Sequence, residues 1–223
     1  MFKVPKIIEA LAKQRMEGNM VEGFVKGGGT QYPELLLFGE APGENEVIHG
    51  IPFIGRAGEE LIQSLASIRL DRKDVYITSA IRSRPYRWGT KKERDGTMTK
   101  RKYNRPPTQK EMIAHAPFID YEMAYVQPKC IVTLGSVALQ RLLGKDKKIT
   151  ELHGQFINAP IQYLANINDT TFSHTKTHYT IIPTFHPASV FYRPSLRAKI
   201  EADWIKIGAY LTKLCNESRG PDV

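Results

Sequence analysis

The pattern of apolar and polar residues predicts a chain in which strands and helices alternate. Short, continuously apolar runs are typical of strands buried in a parallel sheet, and four occur, at 34–38, 74–78, 129–134 and 178–183. Apolar residues spaced three and four positions apart predict helices over about 4–17, 56–68, 108–123, 137–143 and 196–214. Right-handed crossovers between parallel strands then predict one α/β domain, residues 1–223, a three-layer α/β/α arrangement with a central four-stranded parallel sheet.

Weaker signals fill the remaining stretches. Thr108 and Glu111 have the spacing of a capping box, which predicts the start of a helix. The triple glycine at 27–29 predicts a turn, residues 152–163 an extra strand or hairpin, and the polar stretch 165–177 a loop.

Two unusual loops follow strand ends, at 39–58 and 184–194. The first contains five glycines, three carboxylates and one aromatic residue, more than a simple connection requires. Because the carboxyl ends of parallel strands share one edge of a sheet, Glu40, Glu46 and Phe53 are expected to face His186 across a cleft. These groups suit polar chemistry on a flat ring. The structural alternative is that Glu40 caps a helix or pairs with Arg56, and that His186 is a hydrogen-bonded turn residue.

Charge points towards a polyanionic partner. The 223 residues carry a formal net charge of +9 and a pI near 9.5, which favours nucleic acid, although an unspecialised basic surface would give the same total. Cations are concentrated between 82 and 105, where three aromatic residues are interleaved with them. This composition is typical of a surface that binds a nucleic-acid strand, or else of a solvated disordered loop.

Other function classes are disfavoured. Cys130 and Cys215 are too few for a disulfide framework or a four-cysteine metal site, so a reducing, cytoplasmic setting is expected. No apolar run approaches the ~20 residues that span a bilayer, and no secretory signal is expected.

Several motifs together resemble the uracil-DNA glycosylase superfamily, and most closely its family 4, the bacterial and archaeal type. The resemblance covers roughly residues 34 to 205. It rests on Gly-Glu-Ala-Pro-Gly-Glu-Asn-Glu at 39–46, Gly-Ile-Pro-Phe-Ile-Gly-Arg-Ala-Gly at 50–58, Val-Tyr-Ile-Thr at 75–78, Asn-Arg-Pro-Pro-Thr at 104–108, Ile-Val-Thr-Leu-Gly at 131–135 and His-Pro-Ala-Ser at 186–189.

The resemblance implies a monofunctional DNA glycosylase that removes uracil, or a related deaminated base, from double- or single-stranded DNA by base excision. Glu40 and His186 would be catalytic, and the base would be bound by Ala41, Glu46, Phe53, Ser79 and Asn104. DNA contacts would come from Ser189, Val190, Phe191, Tyr192 and Arg193, and from the basic segment through Arg84, Arg87, Lys91, Lys92, Arg101 and Lys102. A monomer associated with the nucleoid, without a membrane, is expected.

Three departures from the family pattern qualify this expectation. Family 4 proteins usually hold an iron–sulfur cluster on four cysteines, but Ser83 and His115 stand at two of those positions, so no cluster and no metal is predicted. The strand that normally ends in a base-reading asparagine ends in Ser79, whose hydroxyl cannot make the same bidentate contact. Residues 86–103 look like a basic insertion.

Two other functions stay open. A non-catalytic or weakly catalytic protein that binds uracil-containing or damaged DNA would also explain Ser79 and the basic segment. A small-molecule nucleotide enzyme is disfavoured, because the chain has neither a P-loop nor a dinucleotide-binding glycine motif.

Overall fold

Strands and helices alternate through most of the computed structural model, which describes residues 3–219. The strands are β1 Val21–Glu22, β2 Gly28–Gly29, β3 Leu35–Gly39, β4 Val75–Ser79, β5 Arg84–Lys92, β6 Met98–Asn104, β7 Cys130–Leu134, β8 Ile157–Tyr163 and β9 Ser173–Thr184. The helices are α1 Lys6–Arg15, α2 Glu44–His49, α3 Arg56–Ser67, α4 Gln109–Tyr125, α5 Ser136–Leu143, α6 Ile149–Leu152 and α7 Arg197–Arg219.

The main sheet has six strands in the order β2-β4-β3-β7-β9-β8. Its four central strands are parallel, as predicted, and the antiparallel strands β2 and β8 extend it at the two edges. The predicted turn at 27–29 is wrong, because Gly28 and Gly29 pair with β4. The predicted loop at 165–177 is wrong in its last part, because β9 already begins at Ser173 and forms the hairpin with β8.

Burial of the central strands explains the layered architecture. Every residue of β3, β4 and β7 is buried. Since successive side chains of a strand point to opposite faces, both faces of the sheet must be covered. The helices pack in pairs, α1 on α4 and α3 on α7, while α5 contacts β3, β7 and β8. The α/β/α expectation is therefore confirmed.

Local signals fix the long helix α4. Its first residue follows Thr108, whose hydroxyl accepts a hydrogen bond from Glu111 N at 3.3 Å, while Thr108 N donates to the Glu111 carboxylate at 2.8 Å. The helix continues through Pro117 to Tyr125. The predicted capping box is confirmed.

The basic segment is an ordered β-hairpin. Strands β5 and β6 are antiparallel from the pair Tyr86 and Asn104 to the pair Lys92 and Met98. Gly96, with a φ of +87°, forms part of the turn. Two residues of β1 complete a separate three-stranded sheet. Within residues 3–219, no helix combines the length and apolarity needed to cross a bilayer.

Candidate functional site

The two unusual loops converge at the carboxyl edge of the central strands, where they enclose a pocket of about 310 Å³. The loop after β3 supplies residues between 41 and 57, the ends of β4 and β6 supply one residue each, and the loop after β9 supplies two. Six residues singled out from the sequence line it together: Ala41, Glu46, Phe53, Ser79, Asn104 and His186. The common direction of the parallel strands brings together the residues that follow β3, β4 and β9, whereas Asn104 comes from β6 of the separate antiparallel sheet.

Phe53 forms a rigid aromatic wall of this pocket. Its backbone has a φ of +52°, in the left-handed region that few bulky residues adopt. Arg72 holds this turn by donating hydrogen bonds to the carbonyl oxygens of Pro52 and Phe53. The ring packs so closely on Gly39 that a Cβ there would come within 2.8 Å of it. The ring is therefore fixed before any ligand arrives.

His186 stands opposite, with its ring centroid 5.8 Å from that of Phe53 and the two planes at 30°. Its Nδ1 accepts a hydrogen bond from Ala188 N at 3.1 Å, so in the neutral ring the proton resides on Nε2. Burial lowers the pKa of His186 to about 4. At neutral pH the side chain is thus an uncharged imidazole with an Nε2–H donor.

Glu40 lies at the end of β3, beside His186. Together with Ala41 and Asn104 they border a smaller cleft of about 160 Å³. Burial raises the pKa of the Glu40 carboxyl above its ordinary value of 4.5. Neither structural alternative for Glu40 is realised in the described part of the chain: its carboxylate caps no helix, and Arg56 instead lies over the Phe191 ring, 4.2 Å from the centroid.

Glu46 has a structural task that the sequence reading missed. The loop after β3 contains the short helix α2, and the Glu46 carboxylate accepts a hydrogen bond from Gly43 N at 2.9 Å at its start. The spacing of Gly43 and Glu46 is the signal that could have revealed this helix. One carboxylate oxygen is therefore engaged, while the side chain still lines the pocket.

The two polar residues that end β4 and β6 differ in what they offer a ligand. The buried Ser79 hydroxyl donates to Ile81 O at 2.8 Å, so its proton is used within the protein. Asn104 Oδ1 accepts a hydrogen bond from Arg84 Nε at 2.6 Å. Its Nδ2 group is the part of the amide left to donate into the pocket.

Arg84 is not a surface residue, and its expected contact with DNA is wrong. The side chain is only 4% exposed, and it forms ion pairs with Glu22 at 2.7 Å and Glu44 at 3.2 Å. With its bond to Asn104, the guanidinium joins β1, α2 and β6 beneath the pocket rim. Its role is to position these segments.

Some of the DNA-contacting residues predicted in the loop after β9 are buried, and others are exposed. It continues from His186 as the 3-10 turn Pro187–Phe191. Val190 is buried in the hydrophobic core, so its expected contact with DNA is wrong. Tyr192 is 84% exposed at the end of the turn, and Arg193 is also exposed. The bulky group available to a partner is therefore Tyr192.

The cations of the hairpin differ in their partners. Lys91 and Arg101 both pair with Glu93, at 3.0 and 3.2 Å. Lys102 pairs with Glu22. Two further predicted contacts are exposed and have no carboxylate partner within the described residues: Arg87 and Lys92.

The residues at the expected cluster positions do not fit an iron–sulfur group. Ser83 Oγ and His115 Nε2 are buried 3.3 Å apart and hydrogen-bonded to each other. Cys130 is a buried residue of β7, and Cys215 lies on α7. Among the described residues, no three histidine, cysteine or acidic side chains gather as metal ligands would.

Comparison with known proteins agrees with the fold and the motifs. The sequence profile of the uracil DNA glycosylase superfamily matches residues 27–212. The chain is 31% identical over 206 residues to a type-4 uracil-DNA glycosylase of Archaeoglobus fulgidus, covering 88% of this chain and 84% of the relative. It is 32% identical over 188 residues to the type-4 uracil-DNA glycosylase of Sulfurisphaera tokodaii, covering 82% and 72%. A third type-4 enzyme, from Thermotoga maritima, is 31% identical over 192 residues, covering 85% and 83%. The chain therefore belongs to the uracil DNA glycosylase superfamily.

Proposed function

We propose that the protein is a monofunctional uracil-DNA glycosylase of base excision repair, which hydrolyses the bond between uracil and deoxyribose. One observation carries the proposal: the rings of Phe53 and His186 line one pocket with their centroids 5.8 Å apart, and the neutral His186 ring carries an Nε2–H donor. The names of its relatives support the same activity. The proposal also includes a related deaminated base. The reason is that Ser79 stands where the family usually has an asparagine that hydrogen-bonds to the base.

The proposed reaction begins when the target nucleotide leaves the base stack and enters the pocket. The uracil ring stacks on Phe53. As the bond between C1′ and N1 breaks, its electron pair moves into the ring, and His186 Nε2–H donates to the oxygen O2 on which negative charge develops. Water adds to C1′ and loses a proton. Glu40 orients this water and stabilises the cationic sugar.

Other pocket residues select uracil over thymine and cytosine. The backbone N–H of Ala41 is available to a base oxygen, and Glu46 limits the space beside C5, where thymine carries its methyl group. Asn104 Nδ2–H is a donor suited to uracil O4, where cytosine presents a donor of its own. Arg84, through its bond to Asn104 Oδ1, keeps the amide in this orientation.

DNA is held outside the pocket by the loop after β9 and by the hairpin. Ser189, Phe191 and Arg193 border the strand, and the exposed Tyr192 fills the gap left by the extruded base, as inserted side chains do in other complexes. Arg87, Lys91, Lys92, Arg101 and Lys102 supply positive charge around it. A monomer is sufficient, because all proposed contacts come from one chain, and the nucleoid is the proposed location.

A duplex with one uracil opposite guanine tests the activity directly. After incubation with the protein, alkali cleaves abasic sites, and strand scission reports excision. Scission supports the proposal. Tight binding without scission would instead support the damaged-DNA-binding function that Ser79 left open.

Glu40→Gln is expected to slow excision by about 10²–10⁴-fold and to change its pH dependence. The wild-type single-turnover rate should fall as pH decreases through the raised pKa of Glu40, above 4.5, because the ionised form is needed. The variant, which has no carboxylate, should lack this acid limb. Glu59→Gln, at an exposed position of α3, is the control and should leave both rate and pH profile unchanged. An unaltered acid limb in Glu40→Gln would refute the role of Glu40.

Asn104→Ala is expected to lower uracil excision by about ten- to a hundredfold, because the donor to uracil O4 is lost. Ser79→Ala is the comparison, since the Ser79 hydroxyl donates to Ile81 O and not to a ligand. It should change the rate by no more than about twofold. Single-turnover rates on a uracil duplex measure both. A larger loss in Ser79→Ala than in Asn104→Ala would show that Ser79 is the reader.

A further inference from the structure

The hairpin has two chemically different faces. Side chains of an antiparallel pair alternate between faces, and residues directly opposite share one. The pairing therefore places eight residues on one face, which we call the pocket-side face: Tyr86, Trp88, Thr90, Lys92, Met98, Lys100, Lys102 and Asn104. Asn104 also lines the pocket. This face of the hairpin is thus continuous with the pocket rim.

Aromatic rings and cations cover the pocket-side face. Trp88 is 46% exposed and packs edge-on against Tyr86, with ring centroids 5.8 Å apart. Lys100 Nζ lies 4.8 Å from the Trp88 centroid, and Lys102 Nζ lies 4.5 Å from that of Tyr86. These contacts hold the rings in place. A large ring that is fixed but half exposed offers a ready stacking surface.

Charge on this face is unneutralised at its outer end. Near the pocket, Lys102 and Arg84 are balanced by Glu22 and Glu44. Farther out, Lys92 and Lys100 have no carboxylate partner among the residues the structure describes. Both cations lie on the turn side of the exposed Trp88, Lys100 in the next pair on this face and Lys92 in the pair after it. The phosphates that lead away from a base stacked on Trp88, towards the turn, would meet them there.

We call the opposite face of the hairpin the far face. It differs from the pocket-side face in its distance from the pocket, in the pairing of its cations and in the packing of its aromatic ring. It carries Arg87, Lys91, Arg101 and Tyr103, and none of them lines the pocket. Glu93 pairs with both Lys91 and Arg101. The Tyr103 ring is folded over Gly89, where a Cβ would come within 2.9 Å of it. Its surface is thus partly used in packing against the ribbon itself.

We propose that the pocket-side face binds the unpaired strand that flanks the uracil, with a base stacked on Trp88 and phosphates at Lys92 and Lys100. An unpaired strand is the occupant, because an aromatic ring can stack only on a base whose face is not covered by its neighbours. The inference rests on the proposed function, since the flank matters only if its uracil occupies the pocket. It makes uracil in single-stranded DNA a preferred substrate.

Trp88 reports this binding without any catalysis. The sequence has two tryptophans, and Trp204 is buried in the core. A uracil-free oligothymidylate should quench the exposed Trp88, and the quenching should saturate at lower concentration than with a duplex of equal length. Trp88→Phe should abolish the quenching. Absent quenching, or equal quenching by the duplex, would overturn the proposal.

Two charge-matched double variants separate the faces. Lys92→Ser with Lys100→Ser and Lys91→Ser with Arg101→Ser remove the same charge, all from exposed positions. The pocket-side pair should raise the Kd for oligothymidylate by about tenfold or more. The far-face pair, whose positive charge is already partly offset by Glu93, should raise it by a smaller factor, about two- to fourfold. Equal losses would mean that only the overall positive field matters, and would overturn the proposal.

Failure of the proposed function and failure of the strand-binding inference give different results. Binding is measured on DNA without uracil, so it does not depend on excision. If the proposed function fails, no scission occurs whatever Trp88 reports. If only the strand-binding inference fails, the wild-type protein excises uracil, yet single-stranded DNA leaves the Trp88 fluorescence unchanged.

Discussion

His186→Ala is expected to reduce single-turnover uracil excision by about 10²–10³-fold, the usual effect of removing one donor from a site where negative charge develops. The His186 ring lies next to the Phe53 ring in the pocket lining, and its Nε2–H has no hydrogen-bond partner among the residues that the structure describes. Its loss should therefore slow the chemical step and leave DNA binding within about twofold. Single-turnover rates at saturating enzyme and a Kd on the same uracil duplex separate the two effects.

The state of the ring gives this prediction a pH signature. Burial keeps the pKa of His186 near 4, below the ordinary 6.5, so the same neutral donor is present at pH 5.5 and at pH 8. The ratio of wild-type to His186→Ala rates should stay constant across that range. His178→Ala, at an exposed position of β9, is the control and should match the wild type. A ratio that changes tenfold near pH 6.5 would mean that the cation, and not the neutral ring, is the working form.

The meeting of Phe53 and His186 could be predicted from the sequence for a physical reason. Parallel strands are continuously apolar when both faces are covered, and their carboxyl ends share an edge. Two loops more than a hundred residues apart were thereby assigned to one cleft. No knowledge of side-chain contacts was needed, because topology alone sets that proximity.

The burial of Arg84 could not be predicted in this way. In the sequence it is one cation among ten, and its partners Glu22, Glu44 and Asn104 come from three separate segments. Only the pairing of β1 with β5 and the position of α2 bring them together. The hairpin, by contrast, had a local signal that was overlooked. The dipeptide Asp95-Gly96 between two polar, β-branched and aromatic stretches is typical of a tight hairpin turn.

The buried ion pair behind the site gives the largest expected effect on stability. Arg82 and Glu122 are both almost inaccessible to solvent and form an ion pair. The Glu122 carboxylate also accepts hydrogen bonds from the Tyr76 hydroxyl at 2.8 Å and the Thr78 hydroxyl at 2.6 Å. This cluster ties α4 to β4, the strand that ends at Ser79 in the pocket.

Glu122→Gln should lower the free energy of unfolding by about 3–5 kcal/mol, because the shape is kept while the buried charge of Arg82 loses its counter-ion. Urea unfolding at pH 7 measures the change. Glu151→Gln breaks the exposed pair with Lys148 and should cost no more than about 1 kcal/mol. A similar small loss in both variants would mean that water reaches Arg82. In that case the cluster would not be the rigid link between α4 and the pocket-forming strand.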